Sequence, residues 1–417
     1  MSRVIPIASA YQAKAAVVAD IADRPRLTSL PPLSVYVHVP WCVRKCPYCD
    51  FNSHEWRDSG GAELPEADYE AALIADLDAS LGEVWGRRIE TIFFGGGTPS
   101  LLGAATIDRL LSAFRARLNV SPEVEVTLEA NPGTFEAQKY ADFSQAGVNR
   151  LSIGVQSFDN DKLKALGRIH DALDARRAID SALKSIGNVN IDLMYALPGQ
   201  SLDEAQADIS VALATGVPHL SAYHLTLEPN TYFYRHPPVL PDEEQSADIQ
   251  EMVAERLGGA GLEHYETSAH ARPGARCRHN LNYWQFGDYL GIGAGAHSKI
   301  SFPDRITRSA RVKLPRDYMR RAWAATGGES AVQSQNRVAR SDLAFEFMMN
   351  ALRLNDGFEL ARFTERTGLA LSAIGSTLER AQARGLVVRD LHSVRPTPLG
   401  QRFLNDLLQM FLPTKSH

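Results

Sequence analysis

Val39-Pro40-Trp41-Cys42-Val43-Arg44-Lys45-Cys46-Pro47-Tyr48-Cys49-Asp50-Phe51 places three of the chain's four cysteines on one short segment. The spacing is C-x3-C-x2-C. Three thiolates on one loop can hold three corners of an iron–sulfur cube and leave the fourth iron open to a small molecule. A cluster serving electron transfer alone takes four cysteines, so the missing ligand points to chemistry at the open iron. Zinc is the competing reading, because short cysteine spacings also suit a tetrahedral ion. A structural zinc wants four ligands, and the other candidates are His54 and the distant Cys277. Four cysteines with three crowded together do not make a disulfide framework.

Outward from this loop, the pattern alternates strands and helices. A strand over 34–39 delivers the loop. Helix 66–81 follows, with Tyr69, Leu73, Leu77 and Leu81 on one face. The order continues with strand 88–94, helix 104–118, strand 123–128, helix 135–146, strand 149–153, helices across 161–183, strand 189–195, helix 202–214, strand 219–225 and helix 242–257. Strands alternating with helices imply a parallel sheet with helical crossovers. Six units suit an open doubly wound sheet or an incomplete β/α barrel; a full barrel needs eight. From 340 onward the pattern is three short helices, a hairpin near His392 and a final helix over 400–412, a winged-helix-like arrangement. It is not notably basic, which favours packing or partner docking over DNA binding. The expected domains are an extension over 1–33, the α/β body over 34–300, a linker over 301–339 and the helical domain over 340–417.

At 417 residues, 44% of them hydrophobic, the chain has material for a large core. Its 44 basic and 49 acidic residues give −5, which speaks against a nucleic-acid surface. The apolar runs are strand-sized, so no transmembrane segment is expected. A reduced, cytoplasmic setting suits free thiolates.

In parallel α/β folds, ligands sit at the carboxyl ends of the strands. Here those ends carry the cysteine loop, Gly95-Gly96-Gly97, Glu129, Gln156 and Asp192. Together they describe one pocket. Glycines without Cβ atoms let backbone approach closely. Gly291-x-Gly293-x-Gly295 does the same or packs tightly, and is not a dinucleotide motif.

These elements resemble the radical S-adenosylmethionine enzymes. The match rests on Cys42-x3-Cys46-x2-Cys49, with Tyr48 before the last cysteine, and on Gly95-Gly96-Gly97-Thr98-Pro99. The resemblance implies a six-unit partial barrel of the TIM type, a 4Fe–4S cluster on Cys42, Cys46 and Cys49, and S-adenosylmethionine on its open iron. It narrows to the oxygen-independent coproporphyrinogen III oxidase group through Tyr36-Val37-His38-Val39-Pro40, Glu129-Ala130-Asn131-Pro132, Gly154-Val155-Gln156-Ser157-Phe158, Leu166-Gly167-Arg168 and the run from Asp192 to Gln200. Carried over position by position, Tyr36, Tyr48, Gly96, Gly97, Thr98, Glu129, Gln156, Arg168 and Asp192 are cofactor contacts. Spacing alone makes Arg168 a solvent-facing helix residue.

Two departures divide the group. The oxidases carry a further cysteine two residues after Cys49, where this chain has Phe51. The run His279-Asn280-Leu281-Asn282-Tyr283-Trp284 resembles the signature of the HemW branch, haem chaperones that pass haem to respiratory haem proteins. This resemblance implies haem as cargo, His279 as a haem contact, haem-accepting respiratory proteins as partners, a homodimer, and a membrane periphery during delivery. The alternative function is oxidative decarboxylation of coproporphyrinogen III. Without the resemblance, His279 reads as part of a hydrogen-bonded loop packed on the barrel, and Cys277 as an inert buried thiol.

Overall fold

The computed structural model describes residues 25–56, 63–324 and 330–413. The first 24 residues of the expected extension, and 325–329 of the expected linker, lie outside the described residues.

The cysteine loop follows β1 (Leu33–Val39), buried along its length except for the half-buried Tyr36. The next strands are β2 (Arg88–Gly96), β3 (Asn119–Ala130), β4 (Arg150–Gln156), β5 (Val189–Tyr195) and β6 (His219–His224). All six are parallel and pair in sequence order. Short antiparallel strands β7 (Glu263–Glu266) and β8 (Ala269–Ala271) extend the sheet beyond β6. A further parallel strand, β9 (Asp288–Ile292), pairs with the free side of β1. The order of these nine strands within the sheet is therefore β9-β1-β2-β3-β4-β5-β6-β8-β7. Most residues of β1, β2, β4 and β5 are buried on both faces, as in a parallel sheet covered by helices. The six strand–helix units form the expected partial barrel, which is not closed as an eight-unit barrel is.

Crossover helices match the sequence periodicity. Helix α1 (Glu66–Val84) buries Tyr69, Leu73 and Leu77, and each large apolar side chain so buried contributes about 1.5–3 kcal/mol. Helices α2 (Ala104–Arg117), α3 (Thr134–Ala146), α4 (Asn160–Ala165), α5 (Ala172–Ser185), α6 (Leu202–Ala214) and α7 (Glu243–Gly259) follow. Capping boxes start α5 at Asp171 and α6 at Ser201. One short helix, α8 (Arg278–Trp284), lies at the amino-terminal ends of β1 to β3, opposite the cysteine loop. Its Asn282 donates to Ser34 Oγ and to Asp288 O.

The chain divides into two compact units. The larger comprises Pro32–Ser298 and Ser309–Gln335. The smaller comprises Lys299–Arg308, the residues from Asn336 onward and the described residues before Pro32. The stretch expected as a linker over 301–339 carries strand Arg305–Arg311, helix α9 (Pro315–Trp323) and strand Val332–Arg337. Their sequences are polar and short, which hid them from a search for apolar periodicity. In the smaller unit, helices Leu343–Ala351, Leu360–Thr367 and Ser372–Ala383 pack beside a hairpin of Val387–Arg389 and Ser393–Pro396. Phe347, Phe358 and Phe363 meet edge to face at its centre, with ring centroids 5.0 and 5.3 Å apart. The helix expected over 400–412 is two helices, Pro398–Arg402 and Leu404–Gln409, broken at Phe403.

Candidate functional site

Backbone hydrogen bonds pin the cysteine loop from several sides. Gly97 N donates to Val39 O and Thr98 N to Trp41 O, both at 2.7 Å. His54 N reaches Pro40 O, Trp56 N reaches Cys42 O, and Phe233 N reaches Pro47 O. The glycine run after β2 is needed for this. A Cβ on Gly97 would stand 2.4 Å from Trp41 O, and one on Gly96, at φ +116°, 2.6 Å from the His38 ring. The close approach that these glycines permit is to β1 and the cysteine loop itself.

Cys42, Cys46 and Cys49 are all half-buried free thiols. Burial pushes the Cys42 and Cys49 thiols up, partly offset by hydrogen bonds from Thr98 and Ser53. Arg168 Nη1 donates to Cys46 Sγ at 3.5 Å, which brings a fixed cation to the loop. Lys45 Nζ reaches the Phe51 and Ser53 carbonyls. The Phe51 side chain points into solvent at 57% exposure. Tyr48 packs on the cluster of Leu166, Leu197, Leu225 and Phe233, anchoring the loop in apolar surroundings.

Beside the loop, the strand-end residues converge. Glu129 Oε2 accepts from Gly96 N at 3.1 Å. Asn131 Nδ2 donates to Thr98 Oγ1, and Arg168 Nη2 donates to Asn131 Oδ1 and to Gly154 O. Arg168 is not on a helix: it follows the turn at Gly167 and reaches back across β4. Tyr36 OH contacts His38 Nδ1 at 3.0 Å. Gln156 sits at φ +71°, a strained conformation for this residue that the end of β4 imposes. Asp192 accepts from Asn190 Nδ2 and Ser152 Oγ. Burial and the facing Asp192 push the Glu129 carboxyl up to about 8, and burial raises Asp192 as well. Arg150 acts on Asp192 from the opposite end, while Glu129 meets the backbone of Gly96, so the two desolvated carboxyls together suit a positive group.

His279 and Cys277 lie at the other end of the barrel interior. His279 Nδ1 shares a hydrogen bond with Thr91 Oγ1 at 2.8 Å, and its backbone N donates to Glu125 Oε1. Its ring lies 4.9 Å from Phe93 and 6.5 Å from Tyr36, centroid to centroid. Burial drives its pKa down to about 3, so the imidazole is neutral. Cys277 is fully buried, with Sγ 3.8 Å from Glu125 Oε1. Neither joins the cysteine loop. Among the described residues, no group of three or more His, Cys, Asp or Glu side chains is placed round a single metal ion. Tyr283 and Trp284 are half-buried, stacked edge to face at 4.8 Å.

Sequence reasoning missed the framework beneath the loop. Asp76 on α1 accepts from Arg311 Nε at 3.0 Å, Tyr318 OH at 2.9 Å and Gly293 N at 3.3 Å. Tyr69 OH donates to His38 O and accepts from Ala294 N. Asn52, just after the cysteines, donates to Ala294 O and receives His38 Nε2 at its own carbonyl. Polar residues on apolar faces were the available signal: Asp76 interrupts the buried stripe of α1.

Comparison with known proteins fits this geometry. The radical SAM superfamily model matches residues 36–212, and the HemN C-terminal domain model matches residues 338–403. The chain is 47% identical over 388 residues to the Heme chaperone HemW of Escherichia coli K12, covering 93% of this chain and 100% of that protein. It belongs to the HemW family. A mouse relative, Radical S-adenosyl methionine domain-containing protein 1, mitochondrial, is 34% identical over 414 residues, covering 94% of this chain and 92% of its own length. The solved coproporphyrinogen III oxidase (HemN) of E. coli, described as a radical SAM enzyme, shares the fold: TM-score 0.75, 22% identity, covering 95% of this chain and 93% of the other. Radical SAM membership implies a 4Fe–4S cluster and S-adenosylmethionine. The three HemW-family thiols beside the Arg168 cation have the donor chemistry for such a cluster. Among the described residues, no helix is long and apolar enough to cross a membrane.

Proposed function

We propose that the protein is a haem chaperone that binds a 4Fe–4S cluster, S-adenosylmethionine and haem, and delivers haem to respiratory haem proteins. The observation that carries this reading is the 47% identity to a Heme chaperone HemW along that protein's full length. The exposed Phe51, where the oxidases have a cysteine, agrees with it.

Cys42, Cys46 and Cys49 would hold the cluster, and its open iron would supply a binding place for S-adenosylmethionine. Tyr36, Tyr48, Gly96, Gly97, Thr98, Glu129, Gln156, Arg168 and Asp192 surround that place. The raised carboxyls of Glu129 and Asp192 suit a cationic ligand and ribose hydroxyls, while the Arg168 cation, with one Nη1 hydrogen left over, suits a carboxylate. His279, neutral and facing the barrel interior, is the haem contact in this reading; a neutral imidazole is a common axial ligand. The cluster and S-adenosylmethionine would stabilise or switch the protein.

Titration of the anaerobically reconstituted protein with haemin, followed by visible absorption, tests the reading. Saturable binding is expected, weakened in His279→Ala. Absence of saturable binding rejects the chaperone function. Formation of protoporphyrinogen from coproporphyrinogen III, with reductant and S-adenosylmethionine, would establish the oxidase instead.

A further inference from the structure

Arg150, the first residue of β4, is 2% exposed, and its guanidinium makes no hydrogen bond among the described residues; Nε is wholly occluded. Its register partner on β3 is Thr127, fully buried, whose Oγ1 also has no partner. Strand alternation puts Arg150 on the interior face with Ser152, and Thr127 there with Glu125 and Glu129. Two adjacent donors thus stand unfilled at the floor of the barrel.

The neighbouring polar groups have other partners. Glu125 accepts from the backbone of Arg278 and His279 and lies near the Cys277 thiol. Asp192 is held by Asn190 and Ser152. His219 bridges Asn190 and Tyr265 OH, and His279 contacts Thr91. Burial opposes the charge on Arg150, and the nearby carboxyls of Glu125 and Asp192 favour it without filling its donors. A buried polar group left unpaired is costly, and a charged one more so. Such a pair therefore marks a place for an external acceptor. The planar guanidinium beside a hydroxyl, on strands about 4.8 Å apart, matches the two oxygens of a carboxylate.

We infer that Arg150 and Thr127 form a carboxylate site at the floor of the barrel, and that it takes one propionate of haem. This rests on the haem-binding reading above. It places the propionate beside His279, so that iron and side chain are gripped from the same end of the interior. S-adenosylmethionine also carries a carboxylate, but Arg168 serves that ligand at the opposite, cysteine-loop end.

The test compares haemin with haemin dimethyl ester on the full-length reconstituted protein and on Arg150→Gln and Thr127→Val. Thr127→Val removes an unpartnered hydroxyl at nearly constant volume, so it folds as the wild type does. Haemin affinity is expected to fall about ten-fold or more in Arg150→Gln and several-fold in Thr127→Val. The diester should bind all three proteins alike, and S-adenosylmethionine affinity should not move. Equal binding of haemin and diester by the wild type overturns the inference. So does unchanged haemin affinity in Thr127→Val, or a loss confined to S-adenosylmethionine. No saturable haemin binding by the wild type removes the chaperone reading and this site with it.

Discussion

Arg168 Nη1 stands 3.5 Å from Cys46 Sγ, while Nη2 of the same side chain is held at 2.6 Å by both Asn131 Oδ1 and Gly154 O. One planar fork therefore links the cysteine loop to the ends of β3 and β4. A lysine keeps the charge but loses the fork. Arg168→Lys is expected to weaken S-adenosylmethionine binding by about ten-fold, with little change in iron content. Equilibrium dialysis with labelled S-adenosylmethionine reads the first, and iron analysis the second. Unaltered affinity would falsify the cofactor role of Arg168.

The cysteines separate cleanly into two classes. Serine at Cys42, Cys46 or Cys49 is expected to reduce iron and acid-labile sulfide after reconstitution to a small residue. Cys277→Ser should leave both intact, because Cys277 lies at the far end of the barrel against Glu125. Loss of iron in Cys277→Ser would make it a fourth ligand.

Glu129 gives a pH signature. Its folded value of about 8 lies above its ordinary 4.5. In the free protein its contribution to stability is thus fully present below 4.5 and is lost as pH rises through about 8. A bound cation favours the ionised carboxylate and reverses this. S-adenosylmethionine binding at pH 7 is therefore expected to release about one proton, and at pH 9 almost none. Calorimetry in buffers of different ionisation enthalpy measures it; no release at pH 7 contradicts the contact.

Arg311 and Asp76 form an ion pair with side chains 1% and 2% exposed. Removing one member strands the other, at about 3–5 kcal/mol. Arg311→Ala is expected to lower Tm markedly and, through Gly293, Tyr69 and His38, to reduce cluster retention. A thermal melt within error of wild type would show that the pair is dispensable.

Much of this was legible in the sequence because long apolar runs and amphipathic faces carry their own period. Strand Val189–Tyr195 and helix Leu202–Ala214 were expected with those bounds, and the order of the first six strands follows from the alternation. The residues at strand ends converge because a parallel sheet brings all its carboxyl ends together. The helices and hairpin after 340 were legible too, but the region from Glu263 to Arg337 was not. Its strands are short, and those such as Arg305–Arg311 and Val332–Arg337 are polar, so no alternation signals them. Arg168 misled by spacing: Gly167 ends the helical path and turns the side chain inward. Asp76, Asn52 and Arg150 have meaning only through partners, or missing partners, far away in the chain.

The most direct measurement is haemin titration of the anaerobically reconstituted protein, with iron counted in the same sample. The expected result is about four irons held by the three-cysteine loop before haem is added, then saturable haem binding that His279→Ala weakens. A preparation that holds the cluster yet shows no saturable haem binding would contradict haem delivery as the protein's function.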